Sequence, residues 1–190
     1  MLAAGLSRRM GRTKALLPYA GSTFLRTICE RFREAGVADL WVVLGPDSRG
    51  AASEVPAEVP RARILDNPAP ERGPLSSLRL VLAALPVETP WLMMALVDHP
   101  AVRGDTLRAL AGAAAPDRIV LPTCGGRRGH PVVFGREVFA ELRAAPDAEG
   151  ARAVVRRDPR RVIEVKVEDP GILRDVDTPA DFEALRTEAP

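Results

Sequence analysis

Apolar and polar residues alternate along the chain in two rhythms, one typical of buried strands and the other of helices. Continuous apolar runs bounded by glycine or charged residues predict buried strands at 40–44, 91–97 and 119–121. Weaker runs predict strands at 2–4, 62–65 and 132–134, and alternation at 162–167 is typical of an edge or antiparallel strand. The most hydrophobic run, 91–97, ends abruptly at Asp98.

Between these strands, apolar residues recur at helical spacing. Phe24, Ile28 and Phe32 mark the first helix, with Ser22 or Thr23 as its N-cap. Further helices are predicted at 75–85, 105–115, 137–142, 150–156 and 179–186, the last capped by Thr178. Strands that alternate with helices predict one α/β domain over 1–190 with a mostly parallel sheet. We expect 125–160 to be an insertion on one edge of that domain.

Composition narrows the class of protein. The chain has 190 residues, 46% hydrophobic and 27% charged, which is an ordinary globular balance. A net charge of +2 argues against a general nucleic-acid or membrane-surface binder. No apolar run approaches the ~20 residues of a membrane span, and no signal peptide precedes the first motif, so we expect a cytoplasmic protein. Cys29 and Cys124 lack metal-ligand spacing and are interpreted as free buried thiols.

The segment from Gly5 to Lys14 is the richest in candidate chemistry. Of 27 basic residues only two are lysines, Lys14 and Lys166, so a lysine inside a glycine-flanked loop stands out. Gly5 and Gly11 permit a backbone whose amides face an anion, Ser7 adds a hydroxyl, and Arg9 and Lys14 add charge. The spacing matches neither a Walker A loop nor a dinucleotide loop. A basic surface turn is the alternative, and Arg8 and Arg12 are interpreted as solvated charges.

Three polar segments follow predicted strands: the loop from Gly5 to Lys14, Asp66 with Asn67, and Asp98 with His99. Ligands of open parallel sheets bind at the carboxyl ends of the strands, so we expect these segments to form one site. Asp98 is a candidate ligand for Mg²⁺, which accepts one or two carboxylates plus substrate phosphates. Its alternative role is to form a turn, and His99 is interpreted as a turn residue.

Three further segments have two interpretations each. Asp175 and Asp177 share a face if extended, so either could complete a metal site, or they could be acids at a helix N-terminus. The turn from Gly73 to Ser77 could bind base, ribose or phosphate, or simply cap a helix. His130 could contact a substrate or form a turn. Together with the loop, this pattern favours phosphate positioning and charge neutralisation without a covalent intermediate.

Residues 2–18 resemble a specific family signature. They read Leu-Ala-Ala-Gly-Leu-Ser-Arg-Arg-Met-Gly-Arg-Thr-Lys-Ala-Leu-Leu-Pro. They match every fixed position of Leu-Ala-(Ala/Gly)-Gly-x-Ser-x-Arg-Met-Gly-x-x-Lys-x-Leu-Leu-Pro, found in nucleotidyltransferases related to the molybdenum-cofactor guanylyl- and cytidylyltransferases. The resemblance continues at 67–68, 73–78, 97–100, 129–134, 150–152 and 175–179.

This resemblance implies a Rossmann-like, three-layer fold of the nucleotide-diphospho-sugar transferase type. It also implies transfer of a nucleoside monophosphate from a nucleoside triphosphate to a phosphorylated acceptor, with release of pyrophosphate. Region 1–25 would form the triphosphate loop and region 125–175 the acceptor side. Mg²⁺ would be the metal, with Mn²⁺ as an alternative.

The resemblance also implies roles for individual residues. Lys14, Arg9 and Asp98 would be catalytic: Lys14 at the α-phosphorus, Arg9 on the outer phosphates, and Asp98 on the metal with Asp177 or Asp175. The nucleotide would contact Ala3, Ala4, Gly5, Ser7, Gly11, Lys14, Asn67, Gly73, Ser76 and Ser77. The acceptor would contact His99, His130 and Asp175.

Ala4 and the segment Gly129-His130-Pro131 look like the cytidylyltransferase branch, which implies CTP and molybdopterin and contact with a molybdoenzyme or its chaperone. A sugar phosphate or other metabolite remains an alternative acceptor, and a non-catalytic nucleotide-binding chaperone an alternative function. The first strand is shorter than in relatives, which predicts a biological start upstream of Met1. At 147–149 the chain reads Asp-Ala-Glu where relatives often read Gly-Asp-x, so an acceptor-side acid is expected to be either shifted or missing.

Overall fold

A central sheet with helices on both faces organises the chain, and the computed structural model describes residues 1–37, 39–59 and 62–187. The strands are β1 Leu2–Ala3, β2 Pro18–Tyr19, β3 Ser22–Thr23, β4 Leu40–Leu44, β5 Ala62–Asp66, β6 Trp91–Met94, β7 Ile119–Cys124, β8 Arg127–Arg128, β9 Val132–Gly135 and β10 Val162–Lys166. The α-helices are α1 Phe24–Glu34, α2 Pro74–Ala84, α3 Gly104–Gly112, α4 Phe139–Ala144, α5 Arg152–Arg157 and α6 Pro179–Thr187. Single-turn and longer 3-10 segments connect several of them, including Pro46–Glu54 after β4.

The sheet is mostly parallel, as the sequence predicted. Strands β5, β4 and β1 pair in parallel in that order. Leu2 continues the pairing, since its N–H donates to Ala95 O (2.8 Å) and its carbonyl accepts from Val97 N (3.1 Å). Beyond this parallel bridge the order is β6, β9, β7 and β10, in which β9 runs antiparallel to both of its neighbours.

One expectation for the second half of the sheet is confirmed and one needs correction. The alternating strand β10 lies at an edge, one of the two arrangements predicted for it, and it pairs in parallel with β7. Region 125–160 is not an insertion on one edge, because its strand β9 lies between β6 and β7 and bonds to both. Sheet order is set by long-range pairing, which the local pattern of a short apolar run does not encode.

Two apolar clusters fill the layers on either side of the sheet. In β4, Leu40, Val42 and Leu44 belong to one cluster and Val43 to the other, as expected when successive side chains point to opposite faces. Helices α1, α3 and α6 contribute to the first cluster, and α2, α4 and α5 contribute to the second. This arrangement confirms the three-layer α/β fold.

The helix caps explain where two helices begin. Thr23 Oγ1 accepts a hydrogen bond from Arg26 N at the start of α1, which selects Thr23 over Ser22 as the cap. At the start of α6 the Asp181 carboxylate accepts from Thr178 N (2.7 Å), and Asp181 N donates to Thr178 Oγ1 (3.3 Å). This reciprocal cap holds the pKa of Asp181 below its usual range, mainly through the Thr178 hydrogen bond.

Both cysteines are free; Cys29 is buried as predicted and Cys124 is half-buried. Within the described ranges, no helix combines the length and apolarity that crossing a membrane requires.

Candidate active site

A cavity of about 320 Å³ lies at the carboxyl ends of β1 and of the segment that follows β6. It brings together the glycine-rich loop, the start of α2 and two aspartates that are far apart in sequence. Its lining includes Ala3, Ala4, Gly5, Leu6, Ser7, Arg8, Arg9, Lys14, Pro70, Gly73, Ser77, Leu96, Asp98 and Asp177. Of the three strand-end segments predicted to form one site, the glycine-rich loop and Asp98 line this cavity, whereas Asp66 and Asn67 do not.

The loop is folded on itself by Ser7, which adopts φ +46°. Its carbonyl accepts from the N–H groups of Met10 and Gly11 (3.0 Å each), and its hydroxyl accepts from Lys14 N (3.2 Å). Gly11 has φ +67°, a conformation that favours glycine, but it does not line the cavity. Within the described part of the chain, no acceptor engages the N–H groups of Gly5, Leu6 and Ser7. These donors are consequently available to an anion.

Gly45, at the end of β4, supports this loop from behind. A Cβ atom at Gly45 would lie 2.6 Å from the carbonyl oxygen of Ala4. Only glycine therefore allows β4 to approach the loop this closely. This role of Gly45 was not predicted from the sequence, although a glycine that ends a buried apolar run is a signal for a close backbone approach.

Four charged side chains form one network at the cavity wall. Lys14 Nζ donates to Asp177 Oδ1 (2.5 Å) and to Asp98 Oδ2 (3.3 Å). Arg9 Nη2 donates to Asp177 Oδ2 (2.6 Å). The hydrogen bond from Lys14, followed by the charges of Lys14 and Arg9, holds the pKa of Asp177 below its usual range despite partial burial. Two cations thus neutralise two carboxylates at this wall.

The same carboxylates suit a hard divalent cation. Asp98 Oδ1 is buried and has no hydrogen-bond partner among the described residues, while Asp98 Oδ2 and Asp177 Oδ1 converge on a single nitrogen. Among those residues, no group of three or more His, Cys, Asp or Glu is placed to hold a metal. A bound Mg²⁺ would accordingly need oxygens from substrate and water, which is its usual habit. Asp175 is exposed and does not line the cavity, so the geometry favours Asp177 as the second carboxylate.

Asn67 lies beneath the cavity and does not line it. Its Nδ2 donates to Ser76 Oγ (2.8 Å) and Ser77 Oγ (2.9 Å), and its Oδ1 accepts from Ala69 N (2.9 Å). The side chain is buried, and these bonds fix the turn that leads into α2. Ser77 and Gly73 reach the cavity, whereas Ser76 does not.

The two histidines lie behind Asp98 and outside the cavity. His99 Nε2 is 3.8 Å from Asp98 Oδ1, and the His99 and His130 rings are 5.0 Å apart between centroids. Burial, followed by the neighbouring His99, lowers the pKa of His130 to about 4. His130 is therefore neutral near pH 7. Both rings line a narrow second cavity of about 10 Å³ with apolar neighbours such as Ile28.

Arg8 was not predicted to be a site residue. It lines the cavity, although the arginine-rich composition led to its interpretation as a solvated charge. Leu6, Pro70 and Leu96 also line the cavity without having been singled out. They are apolar, and no local pattern distinguishes them from core residues.

A mostly parallel α/β sheet whose strand ends carry a glycine-rich basic loop and two carboxylates defines a nucleotidyltransferase of the nucleotide-diphospho-sugar transferase fold. More specifically, the chain belongs to the MobA-like NTP transferase domain family, which its residues 1–162 match.

Relatives cover nearly the whole chain. It is 30% identical to nicotine blue oxidoreductase of Paenarthrobacter nicotinovorans, over 94% of this chain and 90% of that protein. It is 28% identical to the molybdenum cofactor cytidylyltransferase of Escherichia coli K12, over 95% and 90% respectively. The crystal structure of Rv0371c from Mycobacterium tuberculosis H37Rv superposes with a TM-score of 0.82 at 28% identity, covering 99% of this chain and 96% of that one. The same protein in complex with manganese gives a TM-score of 0.78 at 27% identity, with the same coverage.

Proposed function

We propose that this nucleotidyltransferase transfers CMP from CTP to molybdopterin, a phosphorylated acceptor, and releases pyrophosphate with the help of Mg²⁺. The observation that carries the proposal is the meeting of Lys14 with Asp98 and Asp177 beside a loop that has free backbone amides. An anion-binding loop next to paired carboxylates matches the two needs of phosphoryl chemistry, which are phosphate positioning and charge neutralisation.

The residues would divide the work as follows. Amides of the loop and Arg9 would hold the triphosphate, and Lys14 would leave Asp177 to donate to the α-phosphate oxygens. An oxygen of the acceptor phosphate would then attack the α-phosphorus, while the bond between that phosphorus and the bridging α–β oxygen breaks and pyrophosphate leaves. Lys14 would stabilise the negative charge that develops on the α-phosphoryl oxygens, an electrostatic contribution made without a covalent intermediate.

Asp98 and Asp177 would hold the divalent cation, which would supply further neutralisation of the phosphates when bound. The unpartnered Asp98 Oδ1 supports this assignment. So does the relative solved in complex with manganese, and Mn²⁺ stays an alternative to Mg²⁺.

The choice of CTP and molybdopterin depends on two finer arguments. Ala4 and the segment Gly129-His130-Pro131 resemble the cytidylyltransferase branch, and one relative is named a molybdenum cofactor cytidylyltransferase. We assign the acceptor to region 125–175. In that region the His130 ring lies 5.0 Å from the His99 ring, and His99 Nε2 lies 3.8 Å from Asp98 Oδ1. The predicted cytoplasmic location and contact with a molybdoenzyme or its chaperone belong to the same proposal.

Thermal unfolding with CTP, GTP, ATP or UTP, each with and without Mg²⁺, tests the nucleotide half. A ligand at 100 times its Kd stabilises by about 2.7 kcal/mol, so a shift that is selective for CTP and needs Mg²⁺ is easily seen. Asp98→Asn should lose the dependence on Mg²⁺, whereas Asp117→Asn, at an exposed position away from the cavity, should retain it.

Pyrophosphate release with molybdopterin tests the transfer step. Release with a sugar phosphate but not with molybdopterin would replace the proposed acceptor. Nucleotide binding with no pyrophosphate release from any acceptor would favour the non-catalytic chaperone and contradict the proposed function.

A further inference from the structure

Arg8 is a cation without a partner at the edge of the cavity. It lines the cavity and is exposed, and no described residue forms an ion pair or a hydrogen bond with its guanidinium. Its neighbour Arg9 is bonded to Asp177, and Lys14 is bonded to both Asp98 and Asp177. Among the described cations that line the cavity, Arg8 is thus the one that forms no bond to a carboxylate.

The charges that line the cavity make this difference important. Arg9 and Lys14 together balance Asp98 and Asp177, so the four-residue network is neutral. Arg8 adds one uncompensated positive charge to this wall. Arg8 therefore offers all of its guanidinium donors to an incoming polyphosphate, whereas Arg9 Nη2 and Lys14 Nζ are shared with Asp177.

The position of Arg8 also fits a phosphate ligand. It directly follows Ser7, whose free N–H and positive φ lie in the anion-binding part of the loop. A guanidinium presents paired donors that match two phosphate oxygens, which an ammonium group cannot do. The family signature leaves this position open, so the arginine is a feature of this chain.

We infer that Arg8 binds the terminal phosphates of the nucleoside triphosphate and thereby sets the preference for triphosphate over monophosphate. This inference rests on the proposed function, because it assumes that the cavity receives a nucleotide. The bond would form while Lys14 and Arg9 are still paired with Asp177, and would persist on the β- and γ-phosphates after those pairs open.

Calorimetric titration with a triphosphate, diphosphate and monophosphate of one base, in Mg²⁺, tests the inference. CTP, CDP and CMP are the first series. The proteins are the wild type, Arg8→Gln, Arg8→Lys and Arg12→Gln. Arg12 is a matched control, since it is exposed in the same loop but does not line the cavity and pairs with no described residue.

We expect Arg8→Gln to raise the Kd of CTP about ten-fold through loss of charge-assisted hydrogen bonds, and to leave the Kd of CMP unchanged. CDP should show an intermediate effect, and Arg8→Lys should recover part of the loss because it keeps the charge. Arg12→Gln should bind all three nucleotides as the wild type does. Equal melting temperatures of the four proteins would show that folding is not the cause.

The inference would be overturned if Arg8→Gln weakened the binding of CTP and CMP equally. It would also be overturned if Arg12→Gln weakened CTP binding as much as Arg8→Gln does. Normal CTP binding by Arg8→Gln would overturn it while leaving the proposed function intact. If the wild type binds none of the four nucleoside triphosphates and their diphosphates and monophosphates, the proposed function falls and this inference falls with it.

Discussion

The two sides of Asp98 show how one carboxylate can serve two different environments. On the loop side, Asp98 Oδ2 accepts from Lys14 within a network of matched charges. On the other side, Asp98 Oδ1, His99 Nδ1 and His130 Nδ1 are three of the six buried side-chain polar atoms without a hydrogen-bond partner in the described residues. The loop side is neutralised and open to the cavity, whereas the histidine side is enclosed and holds a neutral His130 near pH 7.

Among the described residues, the Asp98 carboxylate is therefore hydrogen-bonded from the loop side only, through Oδ2. Unpartnered buried polar atoms are costly, and a native structure needs a reason to keep three of them together. The unpartnered Oδ1 atom leaves Asp98 with acceptor capacity that the described residues do not use. We therefore expect substitutions on the loop side of Asp98 to affect catalysis. Substitutions on the histidine side should affect stability and its pH dependence.

The largest effect is expected from Lys14→Ala. Lys14 is the donor shared by Asp98 and Asp177. Its loss would remove the cation that we propose acts on the transferred phosphoryl group, and it would leave the two adjacent carboxylates less neutralised. We expect kcat to fall by about 10²–10³-fold, as when a preorganised donor is removed from other active sites. The measurement of kcat is the rate of pyrophosphate release at saturating nucleotide.

Lys166→Ala is the matched control, because Lys166 is the other lysine of the chain and lies exposed on β10. Its activity should equal that of the wild type. A Lys14→Ala enzyme with nearly normal kcat would show that the charged network only stabilises the fold. The loop side of Asp98 would then have no catalytic role.

Local sequence predicted much of this molecule because several features are built from adjacent residues. The strand Leu40–Leu44 is predicted to the residue, since a strand covered on both faces is a continuous apolar run and Gly45 ends it. The glycine-rich loop is predictable for the same reason: its turn, donors and charges lie within ten residues of one another.

Features that depend on distant partners were not predictable in this way. The pattern of Val132–Gly135 indicates a strand but not its place between β6 and β7. Asp175 and Asp177 are equivalent in sequence, and only the three-dimensional path places Asp177 on Lys14. Arg8 is exposed, as a solvated charge is expected to be, but only the fold shows that it also lines the cavity.

The next effect concerns His130 and pH. Its folded-state pKa, lowered to about 4, lies below the ordinary value of 6.5, so the folded protein stays unprotonated there while the unfolded chain gains a proton. Stability is therefore complete above about pH 6.5 and falls as the pH drops towards 4, by about 3 kcal/mol at most. We expect His130→Gln to lose less stability than the wild type across this window.

Urea unfolding at several pH values between 7 and 4 measures the slopes. Arg127→Gln changes an exposed residue of the preceding hairpin and should keep the wild-type slope. Parallel curves for the wild type and His130→Gln would mean that burial does not keep His130 neutral in the folded protein.

A smaller effect is expected from Gly45→Ala, which tests the backbone beneath the loop. The new methyl group would lie 2.6 Å from Ala4 O, so the loop or β4 must shift. We expect a loss of about 1–3 kcal/mol in stability, typical of overpacking, together with weaker nucleotide binding. Gly50→Ala is the control, since a Cβ there meets nothing within 4 Å. Normal nucleotide affinity in a destabilised Gly45→Ala protein would show that the close approach at Gly45 stabilises the fold but is not needed for nucleotide binding.

The smallest effect concerns Asp177 in acid. Hydrogen bonds from Lys14 and Arg9 lower its folded-state pKa, so it contributes stability above the unfolded value of about 3.9, and this stability is lost as the pH falls through the folded value. The carboxylate is 29% exposed, so solvent screening keeps the contribution small. Without nucleotide, Asp177→Asn should show a shallower loss of stability between about pH 5 and pH 3 than the wild type. Asp175→Asn, two residues away, exposed and outside the charged network, should follow the wild type. If Asp177→Asn and the wild type lost stability identically at acid pH, Lys14 and Arg9 would not bind this carboxylate in solution. The loop side would then be as unpaired as the histidine side.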